Sequence, residues 1–353
     1  MTAGVDVREY GRMPDGRVVH EYTLDNGNGL VLTALDYGAI VTSVQVPDAA
    51  GETDNVVLGL PSLADYLRNR SQIGNVLGRY ANRIADARFE LDGRVHQLDV
   101  NDGAHILHGG AAGFGSRLWQ AATQGPDMLG RVVLLLRLVS DDGEMGFPGE
   151  LEVFVRYTLL RNASWRIDYE ARTTAPTVVN LSSHGYFNLA GSRSTRSAFD
   201  QQLSVQASRY TVIDAGRIPI EHRSVEGTPY DFRAARPIGD GLDYDNNYMI
   251  DGAEPGQLKP VARLADPVSG RVMEMHSTEP ALQLYTGFHL NGSLQDVHGR
   301  PLVRGAGVCL ETQHPADCPN RPISADWPST VLQPGEVFRS TTVHRFGLIQ
   351  ADA

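Results

Sequence analysis

His184, inside NLSSHGYFNLAG, and Glu311, closing the apolar run GVCLE, are the side chains of this sequence best suited to moving protons. An imidazole and a carboxyl together form an acid–base pair, able to take a proton from one reacting oxygen and return one to another. Each also has a plain structural reading. A histidine among strand residues is commonly a hydrogen-bonded core group, and a single carboxylate is commonly an edge charge. Glu311 is the more telling, because a carboxylate ending an apolar strand is costly to desolvate unless it faces a cleft or a partner. Asn82 and Arg83 in GNVLGRYANRIADARF, and His108 in NDGAHILHGG, add polar groups where strands should be plain. Taken singly, Arg83 reads as an ion-pair partner and His108 as a turn residue before two glycines.

These residues must be positioned by strands. In LEVFVRYTL, Leu151, Val153, Val155, Tyr157 and Leu159 share one face; in WRIDYEAR, Trp165, Ile167, Tyr169 and Ala171 do the same. Such alternation predicts two half-buried antiparallel strands, joined across LRNAS as a hairpin. Similar short runs recur from GLVLTALDYGAIVTSVQVP to PALQLYTG. The 37 glycines and 19 prolines supply their turns. Helical periodicity is confined to SLADYLRNR. With no linker, repeat or low-complexity tract, the expectation is an all-β chain, residues 1–353 forming one large antiparallel β-sandwich domain with few short helices.

A formal charge of −11 argues against nucleic acid or an anionic membrane surface as a partner and leaves a neutral or cationic small molecule. The N-terminal MTAGVDVREYGRMPDG lacks a basic stretch followed by an apolar run, and no segment approaches a membrane span. Only Cys309 and Cys318 occur, which suits a reducing compartment. A cytoplasmic protein is expected, with the Asn-x-Ser triplets at Asn162, Asn180 and Asn291 arising by chance.

The segments GRYANRIADARFELDG, LHGG, HGYFNLAG, YDNNY, LQLYTG and LETQHPADCPN resemble, in order and spacing, signature segments of the aldose 1-epimerases, or galactose mutarotases. The resemblance runs from about Tyr22 to TTVHRFG. It implies a β-supersandwich that interconverts the α and β anomers of free aldoses. It also implies His184 as general acid, Glu311 as general base, and Asn82, Arg83, His108, Tyr186, Asp245 and Gln283 as holders of sugar hydroxyls. Gly185 stands where many relatives have serine, and Asn246 where some have histidine; both departures bear on substrate preference.

Mutarotation needs a base at the anomeric hydroxyl and an acid at the ring oxygen, and calls for no cofactor or metal. The expectation is an ionised Glu311 and a protonated His184 facing each other across one open cleft, each charge favouring the other. Tyr186, Phe187, Tyr244, Tyr248, Tyr285 and Trp327 are candidates for an apolar platform under the sugar. The partner is then a small-molecule monosaccharide, with no nucleic acid or membrane, and the chain a monomer or weak homodimer. Three other readings remain at this stage. One is metal-dependent hydrolysis through His108, His184, Glu311, His314 and a cysteine, for which the spacing is poor. Another is a non-catalytic sugar-binding module, and the last a hexose-6-phosphate 1-epimerase, which calls for more cations than Arg83.

Overall fold

The alternation in the middle of the chain folds as its period dictates. In a computed structural model that describes residues 3–350, the strand Leu151–Leu160 buries Leu151, Val153, Val155, Tyr157 and Leu159 completely. Strand Ser164–Thr173 pairs with it in unbroken register and buries Trp165, Ile167, Tyr169 and Ala171. The hairpin loop is tighter than expected. Leu160 still pairs with Ser164, so only residues 161–163 turn, with Ala163 in the left-handed region at φ 56°.

These two strands are central to a nine-stranded sheet that includes Val132–Ser140, Arg271–Ser277 and Phe338–Leu348. Its inner face packs against a five-stranded N-terminal sheet, through Leu24, Leu32 and Val44, and against a six-stranded sheet, through Tyr248, Leu282, Leu284 and Leu310. All share one continuous apolar core with Leu134, Val153 and Ile167. Every ladder between named strands is antiparallel. Each leucine so buried contributes roughly 1.5–3 kcal/mol. The SLADYLRNR segment forms a short helix, Leu63–Leu67, capped by Ser62, whose hydroxyl accepts from the Asp65 amide. No helix among the described residues is long and apolar enough to cross a membrane.

The six-stranded sheet positions the chemistry. Its strands run in the order Tyr186–Phe187, Val308–Gln313, Ala281–Tyr285, Asp245–Met249, Arg209–Ile213 and Pro219–Ser224. Tyr186 pairs with Cys309, Cys309 with Tyr285, and Tyr285 with Asp245; two residues along, Glu311 pairs with Gln283. Directly paired residues project to the same side, and the next residue projects to the other. One face of this sheet therefore carries Tyr186, Cys309, Glu311, Gln283, Tyr285 and Asp245. The opposite face carries Phe187, Val308, Leu310, Leu282, Leu284 and Tyr248 into the core.

Candidate active site

Above the polar face lies a cleft of about 400 Å³ lined by all eight residues singled out in the sequence: Asn82, Arg83, His108, His184, Tyr186, Asp245, Gln283 and Glu311. His184 and Glu311 do not oppose each other across it, as expected, but sit side by side on its floor with Nε2 3.6 Å from Oε1. The second carboxylate oxygen of Glu311 is buried and has no hydrogen-bond partner. His184 is held by its backbone, its amide donating to the Asn75 carbonyl and its carbonyl accepting from Gly74.

Burial overturns the expected charge state. Glu311 and His184 are 2% and 5% exposed. Desolvation pushes the Glu311 carboxyl well above its usual range; the nearby Asp245 charge adds to this and Arg83 opposes it. The same burial lowers His184 to about 4. Mutual attraction is thus outweighed by the cost of holding two charges away from water. Both shifts favour a neutral imidazole beside a protonated carboxyl over the expected ion pair.

The surrounding groups are tightly placed. Arg83 donates from Nε to Asp102 Oδ2 at 2.7 Å. His108 and Asn82 clasp each other: the Asn82 amide donates to His108 Nδ1 at 3.1 Å and the His108 amide to the Asn82 carbonyl at 3.1 Å. Both adopt left-handed backbone, at φ 66° for Asn82 and 54° for His108, a strained choice outside glycine. Since His108 Nδ1 accepts, its proton resides on Nε2. Burial, with His184 and Arg83 nearby, holds that ring well below its usual pKa and hence neutral. The glycine that follows is required: a Cβ on Gly109, at φ 81°, would lie 2.1 Å from the Gly78 carbonyl oxygen. The other arginine of GRYANR, Arg79, is structural. It is buried and donates to Pro148, Gly149, Ser140 and Asp141 carbonyls, fixing the segment that presents Asn82 and Arg83.

Tyr186 lines the cleft with its ring, but its hydroxyl is committed to the Ser71 carbonyl at 2.9 Å. Of the other aromatic candidates only Tyr285 joins it. Phe187, Tyr244 and Tyr248 belong to the core, and Trp327 stacks on His222 away from the cleft. Gln283 donates to Asp245 Oδ1 at 2.8 Å. The two departures lie elsewhere: Asn246 faces the core side and donates to the Thr211 carbonyl, and Gly185 borders a small internal cavity beneath the sheet. The five-donor metal set is not assembled, because His314 is paired with Glu279 at 2.7 Å.

Sequence reading missed Cys309, Asp102, Arg217 and His289. Cys309 Sγ approaches His184 Nδ1 and, with His184 and Glu311, offers a donor atom within 4.8 Å of the others. Its thiol is pushed up by burial, so it is a neutral group against the imidazole. The CLE spacing, two residues apart on a strand, was the available signal for Cys309; the other three come from loops.

An antiparallel supersandwich with a polar cleft that holds a histidine beside a carboxyl is the architecture of the galactose mutarotase-like class of proteins. The comparisons agree and narrow it: residues 20–345 match the family model described as aldose 1-epimerase, and the chain belongs to that family. It is 36% identical to the galactose mutarotase of Mus musculus over 346 residues, covering 96% of this chain and 97% of that one. It is 34% identical to the aldose 1-epimerase of Escherichia coli K12, covering 94% and 96%. The solved galactose 1-epimerase of Lactobacillus acidophilus superposes with a TM-score of 0.84 at 27% identity, covering 98% and 99%.

Proposed function

We propose that this chain is an isomerase that interconverts the α and β anomers of free aldoses such as glucose or galactose, with Glu311 as base and His184 as acid. The observation that carries the reading is the contact between His184 Nε2 and Glu311 Oε1 on the cleft floor. In ring opening the Glu311 carboxylate takes the proton of the anomeric hydroxyl and the C1 carbonyl forms. The bond from C1 to the ring oxygen breaks, its electron pair stays on that oxygen, and the His184 imidazolium protonates it. Rotation about C1–C2 and the reverse proton transfers close the ring on the other face. The step balances within the pair, without a cofactor.

The neutral pair that burial favours fits this cycle. A neutral imidazole beside a protonated carboxyl is the state the pair reaches when the sugar is open, and it carries the same number of protons as the ion pair that starts ring opening. Arg83, His108 Nε2–H, Asp245, Gln283 and Asn82 supply donors and acceptors for sugar hydroxyls, and orientation is a large part of the acceleration. Tyr186 and Tyr285 present ring faces.

A 6-phosphate substrate is less well served, because Arg83 is committed to Asp102 and the cleft's Arg217 stands against Asp245; Arg70 at the rim is exposed. A pure sugar binder would have no use for the buried acid–base pair. Polarimetry on freshly dissolved α-anomers of several aldoses tests the proposal. Glu311→Gln should lower kcat by about 10²-fold or more while sugar affinity changes little, since the amide keeps the shape and loses the base. Normal turnover by that variant would reduce Glu311 to a wall residue.

A further inference from the structure

Arg217 enters the cleft from the turn at 214–218, between the Arg209–Ile213 and Pro219–Ser224 strands. The turn is stiff. Asp214 accepts through its side chain from the Gly216 and Ile218 amides at 2.8 and 2.9 Å, and Arg217 itself sits at φ 61°. A Cβ on Gly216 would stand 2.8 Å from His105 Nε2, so the turn leans directly onto the loop that carries Asp102 and His108.

From this support the guanidinium is held on three sides. Its Nε lies 3.5 Å from Asp245 Oδ2, its Nη1 donates to His289 Nε2 at 2.8 Å, and its carbon lies 4.8 Å from the centre of the Phe288 ring. His289 is kept neutral by burial and by Arg217 itself, which leaves Nε2 free to accept. The His289 amide is anchored in turn on the Tyr285 hydroxyl at 3.1 Å. Asp245 is therefore gripped at both oxygens, by Gln283 on Oδ1 and Arg217 on Oδ2, with only 15% of its side chain exposed.

Without Arg217, a mostly buried carboxylate would face Glu311 with no cationic partner on its own side of the cleft. It would turn toward water and lose its aim as an acceptor. We propose that Arg217 is a positioning residue for sugar binding: acting through Asp245, it holds that carboxylate aimed at ring hydroxyls away from the anomeric centre. This rests on the sugar-binding reading of the cleft, and it adds to the site a residue carried by the turn at 214–218.

The test measures both catalysis and the affinity of a 1-deoxy sugar analogue, which lacks the anomeric hydroxyl and cannot turn over. Arg217→Met should raise KM and the analogue's Kd by about tenfold, the scale of a hydrogen bond to a charged group, with kcat within about threefold of the parent. Arg217→Lys, which keeps a charge without the planar fork, should recover part of the affinity. In an Asp245→Asn background, Arg217→Met should change Kd by less than about twofold, because its partner is already gone. An unchanged Kd in Arg217→Met, a loss confined to kcat, or the same tenfold penalty in the Asp245→Asn background would each overturn the inference. If the parent binds the analogue but epimerises no aldose, the functional reading falls while the Kd comparison still decides the role of Arg217.

Discussion

Cys309 Sγ lies 3.4 Å from His184 Nδ1, while the other ring nitrogen of His184 faces Glu311. The thiol thus fixes the imidazole from behind, and it does so as a neutral group, because burial raises its pKa well above normal. Cys309→Ala should leave KM nearly unchanged and lower kcat by about threefold to tenfold, the effect of losing one orienting hydrogen bond. Cys309→Ser should restore much of the rate. Steady-state polarimetry on both variants checks this; an alanine variant with full kcat would mean that packing alone orients the ring.

The pH dependence of kcat/KM should be bell-shaped, with limbs assigned by burial. The active free enzyme carries one proton shared between His184 and Glu311. Below about 4, where His184 gains its proton beside a still-protonated Glu311, no base remains. Above the raised pKa of Glu311 the pair has lost its last transferable proton. The acidic limb therefore reports the imidazole and the basic limb the carboxyl, as macroscopic values of the pair. Infrared spectroscopy of the empty enzyme at neutral pH should reveal a protonated carboxyl band that Glu311→Gln removes. Its absence would restore the ion pair as the resting state.

His344 provides a separate readout on stability. It is buried against Trp165 and Phe187, with ring centroids 4.6 and 5.4 Å away, and burial lowers its pKa to about 3. Its ordinary value is 6.5. Between these values the unfolded chain binds a proton there that the folded chain refuses, so its contribution is lost as pH falls through that window. The slope is about 1.4 kcal/mol per pH unit. From pH 6.5 to 4.5, urea unfolding should show the parent losing about 2–3 kcal/mol more than His344→Phe. Parallel losses in the two proteins would contradict this.

Gly185 borders the small cavity formed with Ser183, Phe187, Thr312, Thr342 and His344, and its φ lies outside the left-handed region. A Cβ there would meet the Phe187 ring at 3.4 Å, an ordinary contact. Gly185→Ser should raise stability by about 0.5–1 kcal/mol, through lower unfolded-state entropy. A fall in Tm would show that Phe187 cannot yield.

The strands were legible because their period is local. Leu151 to Leu159 declare a buried face within ten residues, and Val308, Leu310 and Glu311 announce a strand whose polar side needs a cleft. The eight site residues were legible through ordered motifs resembling a family. Arg217, Asp102 and His289 were not, because each reaches the cleft from a turn or loop whose position depends on packing against distant chain. The opposing pull of burial on the pair's charges was not legible for a related reason: it depends on how completely water is excluded, which only the assembled sheet determines.

The strict parity of the six-stranded sheet, with Cys309 and Glu311 facing the cleft and Val308 and Leu310 facing the core, limits how this gene can change. Point substitutions at the cleft-facing positions can retune the sugar site while the hydrophobic layer beneath stays intact. A single-codon deletion within Val308–Gln313 has no such freedom, because it would turn a leucine into the cleft and drive Glu311 into the apolar layer. Length variation among descendants of this sequence should therefore collect in the turns, and variation in sugar preference in alternate residues of the strands.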